Sequence, residues 1–141
     1  MKWPVETYRG AVYPWQMDHM GHMNVRWYTD CFDQATWHLF AAVGITPTYL
    51  RQQNKAMAAL DQHTLYKAEV VAGELLVMRS EVLEVKDKVL HYRHVLYNAE
   101  TNKEVACTEM FAAHIDGKTR KACALPDCVR QQCQQFEGDA T

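Results

Sequence analysis

Serine is almost absent: Ser80 is the chain's only one, and it has no G-x-S-x-G context, which removes the ordinary serine-hydrolase reading. No apolar window approaches the length needed to cross a bilayer, and no stretch after Lys2 at the N-terminus resembles a leader, so a soluble cytoplasmic protein is expected. There is no polybasic run either. With 15 Lys plus Arg against 17 Asp plus Glu, the net charge is −2, and nothing is available to neutralise a phosphate backbone. Nucleic acid and membrane are thus not expected partners. Cysteine is present but without CxxC spacing: Cys31, Cys107, Cys123, Cys128 and Cys133 form an odd set, which argues for reduced thiols over a disulfide framework or a zinc ribbon.

What is present is enough apolar sequence, 48% over 141 residues, to bury one core, and residues 1–141 read as one domain. Thr7 to Trp15 reads as a first strand, and Pro14 ends regular pairing there. Residues 16–23 carry no stable period, and Gly21 supplies the freedom of a turn. Asn24 is placed to cap a helix to about Val43, with Val25, Tyr28, Phe32, Ala35, Leu39 and Val43 at three- and four-residue spacings; Gly44 and Pro47 end it. Trp27, Trp37 and Phe40 widen the apolar face, so the helix should be wrapped. Strand-like runs follow at Ala56–Lys67, Leu75–Val85, Val89–Asn98 and Val105–Ile115, joined by short turns such as Asp116-Gly117, and Pro126 opens a short helix over Asp127–Phe136. The order predicts an α+β architecture, an antiparallel β-sheet curled around one long central helix. Such a sheet leaves an edge that dimerisation would cover, and a homodimer or homotetramer is expected.

The chemistry concentrates before the helix. Asp18 is followed by Gly21, His22 and Asn24 at offsets of three, four and six. A carboxylate there can act as a base toward water or attack an acyl carbon itself. The unpaired N–H groups around Asn24, Val25 and Arg26 provide the positive potential that stabilises an oxyanion. A turn aspartate and a helix cap alone would explain both residues.

As a unit, however, D-H-M-G-H-M-N-V-R-W-Y from Asp18 to Tyr28 resembles the opening motif D-x-x-G-H-(V/M)-N-x-x-x-Y of the 4-hydroxybenzoyl-CoA thioesterase-like hotdog family. Tyr66, Gly73-Glu74 before a strand and Leu125-Pro126 extend the resemblance across nearly the whole chain. It implies a hotdog fold and an acyl-CoA thioesterase, with a coenzyme A thioester as substrate and neither cofactor nor metal. By the same resemblance Asp18 is the catalytic carboxylate, the Val25 backbone amide polarises the carbonyl, and Gly21 allows close backbone approach. His22 and Asn24 match positions whose roles vary, with support expected of them more than chemistry. Tyr28 reads as a core or interface aromatic. Many relatives carry a second acid two positions before the aspartate, where this chain has Gln16, so Asp18 is the loop's only carboxylate.

Two other readings use the same residues: a metal-dependent hydrolase holding its ion with Asp18, His19 and His22, and a non-catalytic acyl-CoA-binding protein of the same fold. His91 and His94, three apart on a strand, face opposite sides and cannot chelate together. For the substrate, Arg120 and Lys121 are candidate anchors for the CoA phosphates, Trp15, Trp27 and Trp37 make the acyl neighbourhood aromatic, and Tyr66 is a further candidate substrate contact. Tryptophan faces attract quaternary ammonium ions. The opening W-P-V-E-T-Y-R-G, Trp3 to Gly10, is similar to thioesterases of carnitine and betaine breakdown, which makes betainyl-CoA the candidate ester.

Overall fold

A computed structural model describes residues 2–137. In chain order the elements are β1 (Val5–Ala11), a short 3-10 turn (Pro14–Gln16), α1 (Val25–Ala42), α2 (Pro47–Gln52), β2 (Lys55–Tyr66), β3 (Leu75–Val85), β4 (Val89–Asn98), β5 (Glu104–Asp116) and α3 (Asp127–Glu137). The five strands form one antiparallel sheet in the order β1-β3-β4-β5-β2. This is the expected α+β arrangement, an antiparallel sheet with a long helix packed on it.

Period-two alternation explains which face the sheet buries. Leu76, Met78, Ser80 and Val82 on β3, Leu90, Tyr92, His94 and Leu96 on β4, and Ala106, Thr108, Met110 and Ala112 on β5 all point inward. Against that face α1 buries Tyr28, Cys31, Phe32, Ala35, Thr36, Leu39 and Phe40. The helix is covered on one side only: Val25 is 56% and Trp37 44% exposed. The core is in two parts. One cluster gathers Tyr28, Phe32, Leu76, Met78 and Leu96 under the first half of α1. The other gathers Leu39, Phe40, Leu90, Tyr92, Val129 and Phe136 under its second half and α3.

Between the clusters runs a polar row, residue by residue across the sheet. His94 pairs in register with Ser80 on one side and Thr108 on the other, and Thr108 pairs with Thr64. Thr7 Oγ1 lies 2.6 Å from Ser80 Oγ, His94 Nδ1 meets Ser80 Oγ, and His94 Nε2 lies 2.8 Å from Thr36 Oγ1 on the helix above. Burial holds the His94 imidazole neutral, its pKa lowered to about 3. The chain's only serine is therefore an internal strut.

The structure departs from the sequence expectation in three places. Tyr13 to Trp15 does not continue β1: Pro14 stands at the start of the 3-10 turn, and the Gln16 side chain accepts from the Tyr13 N–H at 2.9 Å. Helix α2 occupies a stretch read only as a stop, with Thr46 Oγ1 accepting from the Tyr49 N–H and Pro47 in the first turn. Finally, β2 does not pair with its sequence neighbour β3 but closes the far edge against β5.

Candidate active site

The loop between the 3-10 turn and α1 is a closed hairpin. Met17 and Met23 form an antiparallel bridge, the Asp18 N–H donates to His22 O at 2.9 Å, and the Gly21 N–H donates to Asp18 O at 3.0 Å. Gly21 has φ of 81°, a left-handed conformation that a side chain resists. The hairpin is tied down at both ends, since the Asn24 N–H donates to Gln16 O and the Met23 N–H to Val70 O.

Asp18 Oδ1 accepts from the Met20 N–H at 2.8 Å. That bond, then the His22 amide and the nearby His19 and Asn24 side chains, outweigh partial desolvation and hold the carboxyl below the ordinary aspartate range. Asp18 is thus ionised at neutral pH.

At the other end of the hairpin, Asn24 caps α1 in a particular way. Its Oδ1 accepts from the Arg26 N–H at 3.0 Å and its main-chain O from the Trp27 N–H at 2.9 Å. The Val25 amide is left without a hydrogen bond to any described residue, at the positive end of an 18-residue helix.

Both groups face one open cavity of about 760 Å³, lined by Asp18, Met20, His22, Met23, Val25, Tyr28, Tyr66, Lys67, Ala68, Glu69 and Lys103. Tyr28 and Tyr66 meet edge to face with centroids 5.1 Å apart, and the Tyr28 hydroxyl donates to Ala68 O. Burial is the main cause that pushes the Tyr28 hydroxyl up to about 12, so it remains a neutral donor. His22 Nε2 lies 3.0 Å from Glu69 Oε2, which joins the hairpin to the segment after β2.

The structure gathers Asp18, Gly21, His22, Asn24, Val25 and Tyr66 at this hairpin and cavity. It does not gather the others. Trp15 is 67% exposed and stacks on Tyr13 at 4.6 Å, while Trp27 packs on the core with the Arg26 guanidinium over its ring; neither lines the cavity of its own chain. Arg120 and Lys121 follow β5 near Lys55, whereas Tyr66 pairs with Ala106 at the opposite end of the ladder. At about 3.3 Å per residue those ends are roughly 30 Å apart. The cations that do line the cavity are Lys67 and Lys103, which the sequence reading missed together with Glu69. Their signal is tertiary: the Lys67 and Ala68 N–H groups both donate to Val105 O, which brings the end of β2 beside the start of β5.

Among the described residues no group of three or more His, Cys, Asp or Glu side chains is placed to hold a metal ion. His91 and His94 do face opposite sides, His91 reaching Glu109 outside and His94 the core.

Solved structures share this architecture. The chain superposes on the hypothetical protein SAV2348 from Staphylococcus aureus, solved in complex with CoA, with TM-score 0.87 and 19% identity over 97% of this chain and 86% of that one. It matches Slr0204, a 1,4-dihydroxy-2-naphthoyl-CoA thioesterase from Synechocystis, with TM-score 0.80 and 14% identity over 94% and 97%. In sequence it is 29% identical to an L-carnitine dehydrogenase/betainyl-CoA thioesterase of Rhizobium sp over 80% of this chain, of which it spans only 22%. It is 28% identical to a betainyl-CoA thioesterase of Pseudomonas aeruginosa over 77% of this chain and 69% of that protein. Residues 12–133, from the end of β1 into α3, match the family model of the thioesterase-like superfamily, and the chain belongs to that family.

Proposed function

We propose that this protein hydrolyses a small acyl-CoA thioester to the free acid and CoA, with betainyl-CoA the first ester to try. One observation carries the reading: a hairpin closed by the Met17–Met23 bridge presents an ionised Asp18 and an uncommitted Val25 N–H to the same cavity. A thioester carbonyl seated there points its oxygen at the Val25 amide, where the helix dipole favours the charge that develops. Asp18 takes a proton from water as the water oxygen attacks the acyl carbon. The C–S bond then breaks, and the departing CoA thiolate takes that proton back from Asp18. In the alternative course Asp18 attacks the acyl carbon directly, the C–S bond breaks to release CoA thiolate, and water then hydrolyses the acyl-aspartyl anhydride to the free acid and regenerates the carboxylate. Gly21 and Asn24 hold the hairpin shape, and His22 braces it through Glu69.

Lys67 and Lys103 line the cavity and are the cations this reading offers to the CoA phosphates. The work falls to a homodimer, with pairing into a homotetramer a further step: β2 is an edge strand with Leu60, Leu65 and Tyr66 each about half exposed or more, and Met20 and Val25 are exposed beside the cavity. Five free cysteines fit a reducing cytoplasm. The relatives' names support the betainyl ester.

The test is thiol release from betainyl-, benzoyl- and short aliphatic-CoA by the wild type and Asp18→Ala. Loss of Asp18 lowers kcat on the preferred ester by on the order of 10²- to 10³-fold without changing the oligomer. No release from any ester, with CoA esters still bound, would move the non-catalytic binder to the front. Undiminished release by Asp18→Ala would remove Asp18 from the mechanism.

A further inference from the structure

The cavity is lined by both lysines and carboxylates. Lys67 and Lys103 stand where β2 meets β5, with Lys67 Nζ 2.6 Å from Glu104 Oε1 and its main chain held by Val105. Two residues on, Glu69 stands at the opposite, hairpin end, because Val70 O accepts from the Met23 N–H and Glu69 Oε2 meets His22. Asp18 lies at that end too. Between the two ends, Tyr28, half-exposed Tyr66, Met20 and Met23 form an aromatic and thioether wall.

We infer that Glu69, with Tyr66 beside it, selects an acyl group bearing a fixed positive charge on the carbon next to the carbonyl. The inference rests on the thioesterase reading above and assigns a residue to its specificity. An acyl carbon held between Asp18 and the Val25 amide leaves an α-substituent one methylene away, at the carboxylate end of the cavity. Quaternary ammonium ions are poorly hydrated, carry no N–H to donate, and are held by carboxylates at a distance and by aromatic rings. Glu69 can serve because its bond to His22 uses Oε2, while Oε1 makes no hydrogen bond to a described residue. Lys67 is already paired with Glu104, so a cation entering the cavity gains most beside Glu69. A neutral or anionic acyl group gains nothing from this arrangement.

The test compares betainyl-CoA with 3,3-dimethylbutyryl-CoA, whose tert-butyl group has the same shape and no charge. The wild type favours the cationic ester by roughly tenfold in kcat/KM, and Glu69→Gln removes most of that preference by slowing the cationic ester far more than the neutral one. Tyr66→Leu cuts the preference in the same direction. If Glu69→Gln lowers both esters equally, Glu69 only braces the hairpin through His22 and the inference is overturned; equal rates for both esters with the wild type overturn it as well. Binding of the two inert analogues with CH₂ in place of the thioester sulfur, measured by calorimetry, reads the same ratio without turnover. Discrimination in binding but no hydrolysis of either ester would sink the thioesterase reading and leave the cation site standing.

Discussion

The molecule places polar groups in two arrays that use them in opposite ways. In the row Thr7, Ser80, His94 and Thr36, each side chain is buried and each finds a partner inside the protein. In the hairpin from Met17 to Asn24, the backbone is tied at Met17, Asp18, Gly21, Met23 and Asn24, yet the Val25 amide is uncommitted and the Asp18 carboxylate is partly exposed. Both arrays contain a histidine. His94 is sealed among hydroxyls and stays neutral, whereas His22 sits at the surface against Glu69. A closed array specifies structure: a one-residue slip of β4 would turn His94 out to solvent and Val95 in, and would leave the Ser80 and Thr36 hydroxyls unpaired. An array with groups left open costs stability and supplies chemistry.

Protons distinguish the two arrays most strongly. In the unfolded chain His94 regains its ordinary value near 6.5, while in the fold it stays neutral down to about 3. Between those values the unfolded state binds the extra proton, so stability is highest above pH 6.5 and falls as the pH drops through that window. The loss between pH 7 and pH 4.5 is about 2–3 kcal/mol from this residue. His114, also lowered by burial, adds in the same direction. Urea unfolding at the two pH values measures the loss, and His94→Leu should flatten it. Asp18 acts in a lower window. Its carboxyl is lowered in the fold, so its contribution is lost mainly as the pH falls below the ordinary aspartate value and little of it is lost between pH 7 and 4.5.

The same division explains what the sequence revealed. Helix α1 and strands β3, β4 and β5 were legible because Tyr28, Phe32, Ala35 and Leu39, or Leu90, Tyr92, His94 and Leu96, repeat at the spacing that burial demands. Asp18, Gly21, Asn24 and Val25 were legible because the motif that carries the family resemblance is contiguous, all the hairpin's bonds but Met23–Val70 and His22–Glu69 joining residues within eight positions. Lys67, Glu69 and Lys103 were not, since only the β2–β5 pairing and the Met23–Val70 bond bring them to the hairpin. Arg120 and Lys121 lie at the far end of the ladder, and nothing local says at which end of a strand a charge will lie. Thr46-Pro47, which starts α2, was a start signal read only as a stop.

A mid-sized effect belongs to Asn24. Asn24→Ala removes the Oδ1 acceptor for the Arg26 N–H and should cost about 1 kcal/mol of stability. It also frees a second amide beside Val25 and loosens the hairpin's exit, so thioester turnover should fall while the melting temperature drops by only a few degrees. Asn24→Ser or Asn24→Asp, which keep a capping oxygen, should restore stability. If Asn24→Ala lost stability but kept full turnover, the cap would belong with the closed array.

The smallest expected effect compares the two ends of the β2–β5 ladder. Arg120→Ala with Lys121→Ala changes only exposed charges roughly 30 Å from the cavity and should leave KM for a CoA ester within about twofold of the wild type. Lys103→Ala, beside the cavity, should raise KM several-fold with kcat unchanged, because contact with a phosphate is the same in ground and transition states. The opposite ranking would be informative. Within one chain the span of β2 keeps Arg120 and Lys121 away from Asp18, so a KM effect from them would require a second copy to carry its Lys55 end of the ladder to this cavity. The site would then be built across a subunit boundary, and mixed dimers of Asp18→Ala with the double mutant would regain activity at one of their two cavities.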